Sequence, residues 1–161
     1  MDTLNQLSLE VGQTLKQKGW LLATAESVTG GGISQLITDI AGSSEWFDCG
    51  FATYSNSSKI QFLDVPEALI AQLGAVSEEV AAAMVKGALV NTNADVTLST
   101  TGIAGPAGAV PGKPVGTVCF GWAHGTVVHT ERLVFTGDRQ SVRQQSIVHS
   151  LKGLLKFIER F

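Results

Sequence analysis

The sequence predicts a three-layer α/β/α sandwich on a mixed sheet, ending in a β-hairpin and a C-terminal helix. Three observations carry that expectation. Hydrophobic residues make up 44% of the 161 positions and charged residues 16%, under the roughly 25% charged of an average globular chain. Such a composition excludes intrinsic disorder and suits a sheet covered on both faces. Apolar strand-like runs alternate with helical periodicity up to Thr100, the pattern of βαβ units. Past Val115 the period shortens to two around a turn, and a long amphipathic helix then closes the chain. One domain, residues 1–161, accounts for this length, because a second independent core would be cramped.

Leu4, Leu7, Val11 and Leu15 recur at spacings of three and four and predict a helix ending at Lys18-Gly19. Residues 20–25 form an apolar strand, and Glu26, Ser27, Val28 and Thr29 lead through Gly30, Gly31 and Gly32 into a second helix striped by Ile33, Leu36, Ile37 and Ile40. A second strand over residues 47–54 runs into the polar segment 55–59. A short helix over 66–73 stops at Gly74, and a longer alanine-rich one begins at Ser77 with acids in its first turn, which the helix dipole favours. The third strand, 95–100, enters a loop rich in Thr, Gly and Pro; a hairpin over 116–135 turns at His124-Gly125, and Asp138 opens the last helix.

The net charge of −3 argues against a nucleic-acid binder, which carries a basic surplus. Residues 1–130 hold 5 basic and 11 acidic side chains, and residues 131–161 hold 6 and 3. That asymmetry suits either an anionic ligand or a solvated helix face. Cys49 and Cys119 lie far apart, and His124, His129 and His149 match no zinc spacing with them, so no metal and no cofactor is expected. The start of the chain has no basic segment leading into an apolar stretch, and no apolar run approaches the ~20 residues that span a bilayer. A cytoplasmic protein with reduced thiols and no membrane contact follows, with a closed dimer or higher homo-oligomer as its expected assembly.

Ligands of open α/β sheets bind beyond the C-terminal ends of strands. Residues 26–32, 54–59 and 101–108 qualify. The nucleophile elbow, the dinucleotide fingerprint, the phosphate loop and the S-x-x-K pattern all fail on the residues present. Ser27 nevertheless stands where a strand meets a helix start, among amides that lack intrahelical partners and suit a phosphate or an oxyanion. The same residues suit a second role, in which Ser27 or Thr29 caps the helix and the glycines serve packing. A serine hydroxyl needs a base. Lys59 is the only basic residue between Lys18 and Lys86, and Tyr54 is the only tyrosine. A buried lysine is able to serve as that base, with Tyr54 as a proton relay; a solvated lysine and a strand-end aromatic are the alternatives.

Residues 24–31, TAESVTGG, resemble the TAES-x-TGG signature of the CinA C-terminal domain family. Thr53-Tyr54-Ser55-Asn56 with Lys59 is similar to its TYSN-x-x-K, residues 74–78 to its GAVSE, and residues 101–106 to its [ST]GIAGP. Residues 113–118 resemble KPVGTV, and Gly137-Asp138-Arg139 the GDR before the last helix. The blocks occur in order over almost the whole chain. The resemblance implies an α/β/α fold without metal and a nicotinamide-nucleotide amidohydrolase: nicotinamide mononucleotide and water would give nicotinate mononucleotide and ammonia. It implies Ser27 as nucleophile, with Lys59 and Tyr54 as activating partners. Thr29, Gly30 and Gly31, with Thr101, Gly102 and Gly105, would line the nucleotide and oxyanion positions, and Arg139 or Arg143 would meet the 5′-phosphate. Val28 departs from a position often held by cysteine, and Pro106-Ala107-Gly108-Ala109 departs from P-[DG]-G-G. The alternative on the same scaffold is a nucleotide-binding protein without turnover.

Overall fold

The structure is a computed structural model and describes residues 3–161; Met1 and Asp2, on which part of the N-terminal reading falls, lie outside them. Six α-helices and five strands follow in the order α1 (Thr3–Lys18), β1 (Leu22–Glu26), α2 (Gly32–Thr38), β2 (Phe47–Ala52), α3 (Asn56–Leu63), α4 (Glu67–Leu73), α5 (Glu78–Val90), β3 (Val96–Gly102), β4 (Thr117–His124), β5 (Val127–Val134) and α6 (Arg139–Ile158), with one 3-10 turn, Ser43–Glu45, before β2. The sheet order is β2-β1-β3-β4-β5. β1 runs parallel to both β2 and β3, and the hairpin adds two antiparallel strands. The α/β class and the mixed sheet are as the sequence predicts.

Two apolar layers clothe the sheet. On one face Val11 and Leu15 of α1, Ile33 and Ile37 of α2 and Val142, Leu151 and Leu154 of α6 pack with Leu22, Leu98, Phe120 and Trp122 of the strands. On the other, Val80, Met84 and Ala88 of α5 pack with Leu63, Val65 and Ile70 around Ala25. The three central strands are buried along almost their whole length. β2, at one edge, alternates between half-buried and exposed, as a strand with one covered face does.

The register decides where the site forms. Glu26 pairs with Ala52 on one side and with Thr100 on the other. β1 and β2 therefore end at one level, while β3 continues two residues further in its pairing with β4, so residues 27, 53 and 101 stand side by side at one edge of the sheet. α3 is the element that the sequence reading lacks. Ser55 caps it by accepting a hydrogen bond from the Ser58 amide, and its buried residues are Lys59 and Leu63. A polar opening with a lysine on the inner face presents no apolar stripe to detect. α3 sits close to α5 because Gly87 lets the backbone approach: a Cβ there would stand 1.8 Å from the Leu63 carbonyl oxygen.

Candidate active site

Ser27 occupies the first position beyond β1. Its amide donates to the Thr100 carbonyl of the neighbouring strand (2.9 Å), and its own carbonyl accepts from the Gly30 amide (3.0 Å). Ser27 is thus held by backbone on both sides. Gly30 and Gly31 take positive φ values, 59° and 97°, which glycine adopts without strain.

Lys59 approaches from α3. Helical side chains lean toward the N-terminus of their helix, so Lys59 reaches back over the first turn. Its Nζ meets Ser27 Oγ at 3.0 Å, the Thr53 carbonyl at 2.9 Å and the Tyr54 carbonyl at 3.1 Å. Lys59 is only 1% exposed and Ser27 8%. Burial disfavours the ammonium form and pushes the lysine down to about 8. With the proton lost, the amine keeps two N–H bonds for the two carbonyls and turns its lone pair to the serine hydroxyl. A buried serine beside a lysine of lowered pKa has the chemistry of an activated hydroxyl, able to attack a carbonyl.

Glu26 belongs to the same assembly and escapes the sequence reading. It is fully buried. One carboxylate oxygen accepts from Thr29 Oγ1 (2.7 Å) and the Ile33 amide (2.8 Å); the other accepts from the amide and hydroxyl of Ser34 (3.0 and 2.8 Å). Gly31, at the N-cap of α2, offers no side-chain cap, so Glu26 caps the helix from inside the fold. The amides that an incoming phosphate would use are already taken by an internal anion. Thr29 extends the link to Thr100 Oγ1 at 2.8 Å. A glutamate at the end of an apolar strand, ahead of a helix whose cap position is glycine, is the signal that would have found it.

The remaining expected site residues divide. Arg139 donates to the Gly105 carbonyl (2.9 Å) and to the Tyr54 hydroxyl (3.1 Å), while Arg143 donates to the Val28 and Thr29 carbonyls (3.1 and 3.4 Å). Both arginines therefore stand at this edge. Tyr54 enters the dyad through its carbonyl; its phenol turns to Arg139, away from the relay position. Thr101 spends its hydroxyl on the Ala75 carbonyl (2.8 Å). Gly102 lies in the β3–β4 pairing, where a Cβ would meet Val118 at 2.8 Å, so its smallness serves packing. Ala107 and Ala109 are exposed and take no positive φ; Gly105 and Gly108 absorb the turn. His129 and His149 share Glu131 (3.2 and 2.6 Å), and His124 stacks on Trp20 with ring centroids 4.0 Å apart. Among the described residues no cluster of His, Cys, Asp and Glu fits a metal ion, and no helix is long and apolar enough to cross a membrane.

Fold and site together define an α/β protein with a buried serine–lysine pair at the C-terminal edge of a mixed sheet. The chain matches the CinA C-terminal domain over residues 4–158. It is 47% identical over 156 residues to a nicotinamide-nucleotide amidohydrolase PncC of Pseudomonas putida, covering 97% of this chain and 98% of that one. A protein of the same name from Enterobacter agglomerans is 52% identical over 155 residues, with 95% and 94% covered. A crystal structure of a competence-damaged protein (CinA) superfamily protein from Klebsiella pneumoniae superimposes with a TM-score of 0.94 at 32% identity, covering 99% of this chain and all of that one. The chain belongs to the CinA C-terminal domain family.

Proposed function

We propose that this chain is a nicotinamide-nucleotide amidohydrolase, converting nicotinamide mononucleotide and water to nicotinate mononucleotide and ammonia. The observation that carries the reading is the 3.0 Å contact between Ser27 Oγ and a lysine that burial brings to about 8. The names of its full-length relatives supply the substrate.

The neutral amine of Lys59 takes the Ser27 proton as Oγ attacks the carboxamide carbon. The amides of Val28 and Thr29, which meet no protein acceptor among the described residues, are the donors available to the tetrahedral oxyanion. Collapse of that intermediate breaks the C–N bond, and Lys59 returns the proton so that ammonia departs and an acyl-serine remains. Water then attacks the acyl-serine with Lys59 again as base, which releases the acid and restores Ser27. The carboxamide sits at Ser27 and Glu26 occupies the start of α2, so the phosphate extends toward Arg139 and Arg143. Arg139 lines a cavity of about 510 Å³ together with Gly105, Pro106, Val115 and the acidic Asp138, which leaves room for it on the arginine side.

Ammonia release from nicotinamide mononucleotide tests the reading. The purified protein turns over, and Ser27→Ala loses turnover while nucleotide affinity stays within a few-fold, because one hydroxyl adds little to ground-state binding. Retained turnover in Ser27→Ala, with wild-type contamination excluded, refutes the covalent route.

A further inference from the structure

One aromatic residue borders the dyad, its carbonyl sharing Lys59 Nζ with Ser27 Oγ. Tyr54 is the only aromatic residue in segments 26–32, 53–58, 100–108 and 138–143. It is 62% exposed, yet both of its ends are held. Its carbonyl accepts from Lys59, and its phenol accepts from Arg139, which is itself bound to the Gly105 carbonyl. β1 lies between β2 and β3. A link from Tyr54, beyond β2, to Gly105, beyond β3, therefore passes over the end of β1, where Ser27 sits. The exposed Tyr54 side chain is thereby tethered beside Ser27, since Lys59 Nζ bonds both Ser27 Oγ and the Tyr54 carbonyl.

The charged groups beside that side chain are mostly basic. Lys59, Arg139 and Arg143 are bases. Glu26 is buried with its oxygens consumed by helix amides and hydroxyls, and Asp138 caps α6 through the Ser141 amide. Asp138, exposed and capping through one oxygen only, is the one carboxylate among these groups that a cationic ring meets. The electron-rich face of an aromatic ring attracts a cation through its quadrupole. When a ring carboxamide reaches attack distance of Ser27, about 3–3.5 Å, the attached ring lies over the same strand end.

We infer that the face of Tyr54 is the subsite for a positively charged aromatic ring, and that it selects the cationic pyridinium over an uncharged ring of the same shape. The substrate's identity rests on the amidohydrolase reading; the ring face and its placement do not. Tyr54 is thus a specificity-determining residue, and Arg139 holds it in place.

The test compares two ligands that share carboxamide, ribose and phosphate: nicotinamide mononucleotide, whose ring is cationic, and its reduced dihydropyridine form, whose ring is neutral. Dissociation constants are measured by calorimetry on Ser27→Ala, alone and combined with Tyr54→Leu or Tyr54→Phe. Tyr54→Leu should weaken the cationic ligand by about 3- to 30-fold and move the neutral one less than twofold. Tyr54→Phe keeps the ring and should retain most of the preference. Equal weakening of both ligands by Tyr54→Leu overturns the inference, as does a loss in Tyr54→Phe matching that in Tyr54→Leu. Ammonia release by the unaltered protein separates the two readings: turnover without ring selectivity overturns only the role of Tyr54. Binding of neither ligand overturns both.

Discussion

Replacing Lys59 with arginine separates a base from a mere cation. At pH 7 a lysine with an ordinary value near 10.5 is neutral about 0.03% of the time, whereas one at about 8 is neutral about 9% of the time. Burial thus makes the base available some 300-fold more often. The single-turnover rate should rise about tenfold per pH unit from pH 6, bend near pH 8 and level off, because only the neutral amine accepts the serine proton. Guanidinium does not deprotonate in a protein, so Lys59→Arg should lose at least 100-fold at pH 7. Stability gives an independent reading of the same shift. The native lysine releases its proton at lower pH than the unfolded one, so wild-type stability rises relative to Lys59→Met between about pH 8 and 10.5. The gain approaches about 3 kcal/mol, the free-energy equivalent of the shift, and paired urea titrations at pH 7 and 10.5 measure it. A flat pH–rate profile, or near-wild-type rates in Lys59→Arg, refutes the assignment of Lys59 as base.

Two further substitutions probe the frame around the dyad. Glu26→Gln places an amide donor against the Ser34 amide and leaves a helix donor unpaired, which costs about 1–3 kcal/mol. Urea denaturation measures that cost, and kcat should fall more than KM rises while the pH–rate midpoint, set by Lys59, stays in place. Gly87→Ala drives a methyl into the Leu63 carbonyl and pushes α3 from α5; overpacking of this kind costs about 1–3 kcal/mol. Because α3 carries Lys59, thermal stability and turnover should drop together; an unchanged rate in a destabilised variant would show that the dyad does not depend on this contact.

Much of the architecture was legible because it is written in local periods. The strand–turn–helix alternation, the alternating hairpin and the long last helix all appear in the structure, with boundaries shifted by a residue or two. The first strand begins at Leu22 instead of Trp20, and the third runs on to Gly102. The loops rich in Ser, Thr and Gly sit beyond the three parallel strands, as the rule for open sheets predicts. α3 was not legible, since its inner face carries a lysine in place of an apolar stripe. Glu26 was not legible as a cap either, because its partners Ile33 and Ser34 come seven and eight residues later, across a turn that only the folded backbone closes.

Sequence alone determined the layers and the candidate residues Ser27, Lys59, Tyr54 and Arg139, because side-chain chemistry and hydrophobic period are local properties. Tertiary structure decided which of them meet. Lys59 touches Ser27 across 32 residues, and Arg139 reaches Tyr54 across 85. Both contacts depend on the strand register that sets the ends of β1 and β2 level with Thr100 of β3. Tertiary structure also decided what those residues are chemically. A lysine on the surface stays charged at neutral pH; the same side chain enclosed between α3 and the strand ends loses its water, and with it the stability of its charge.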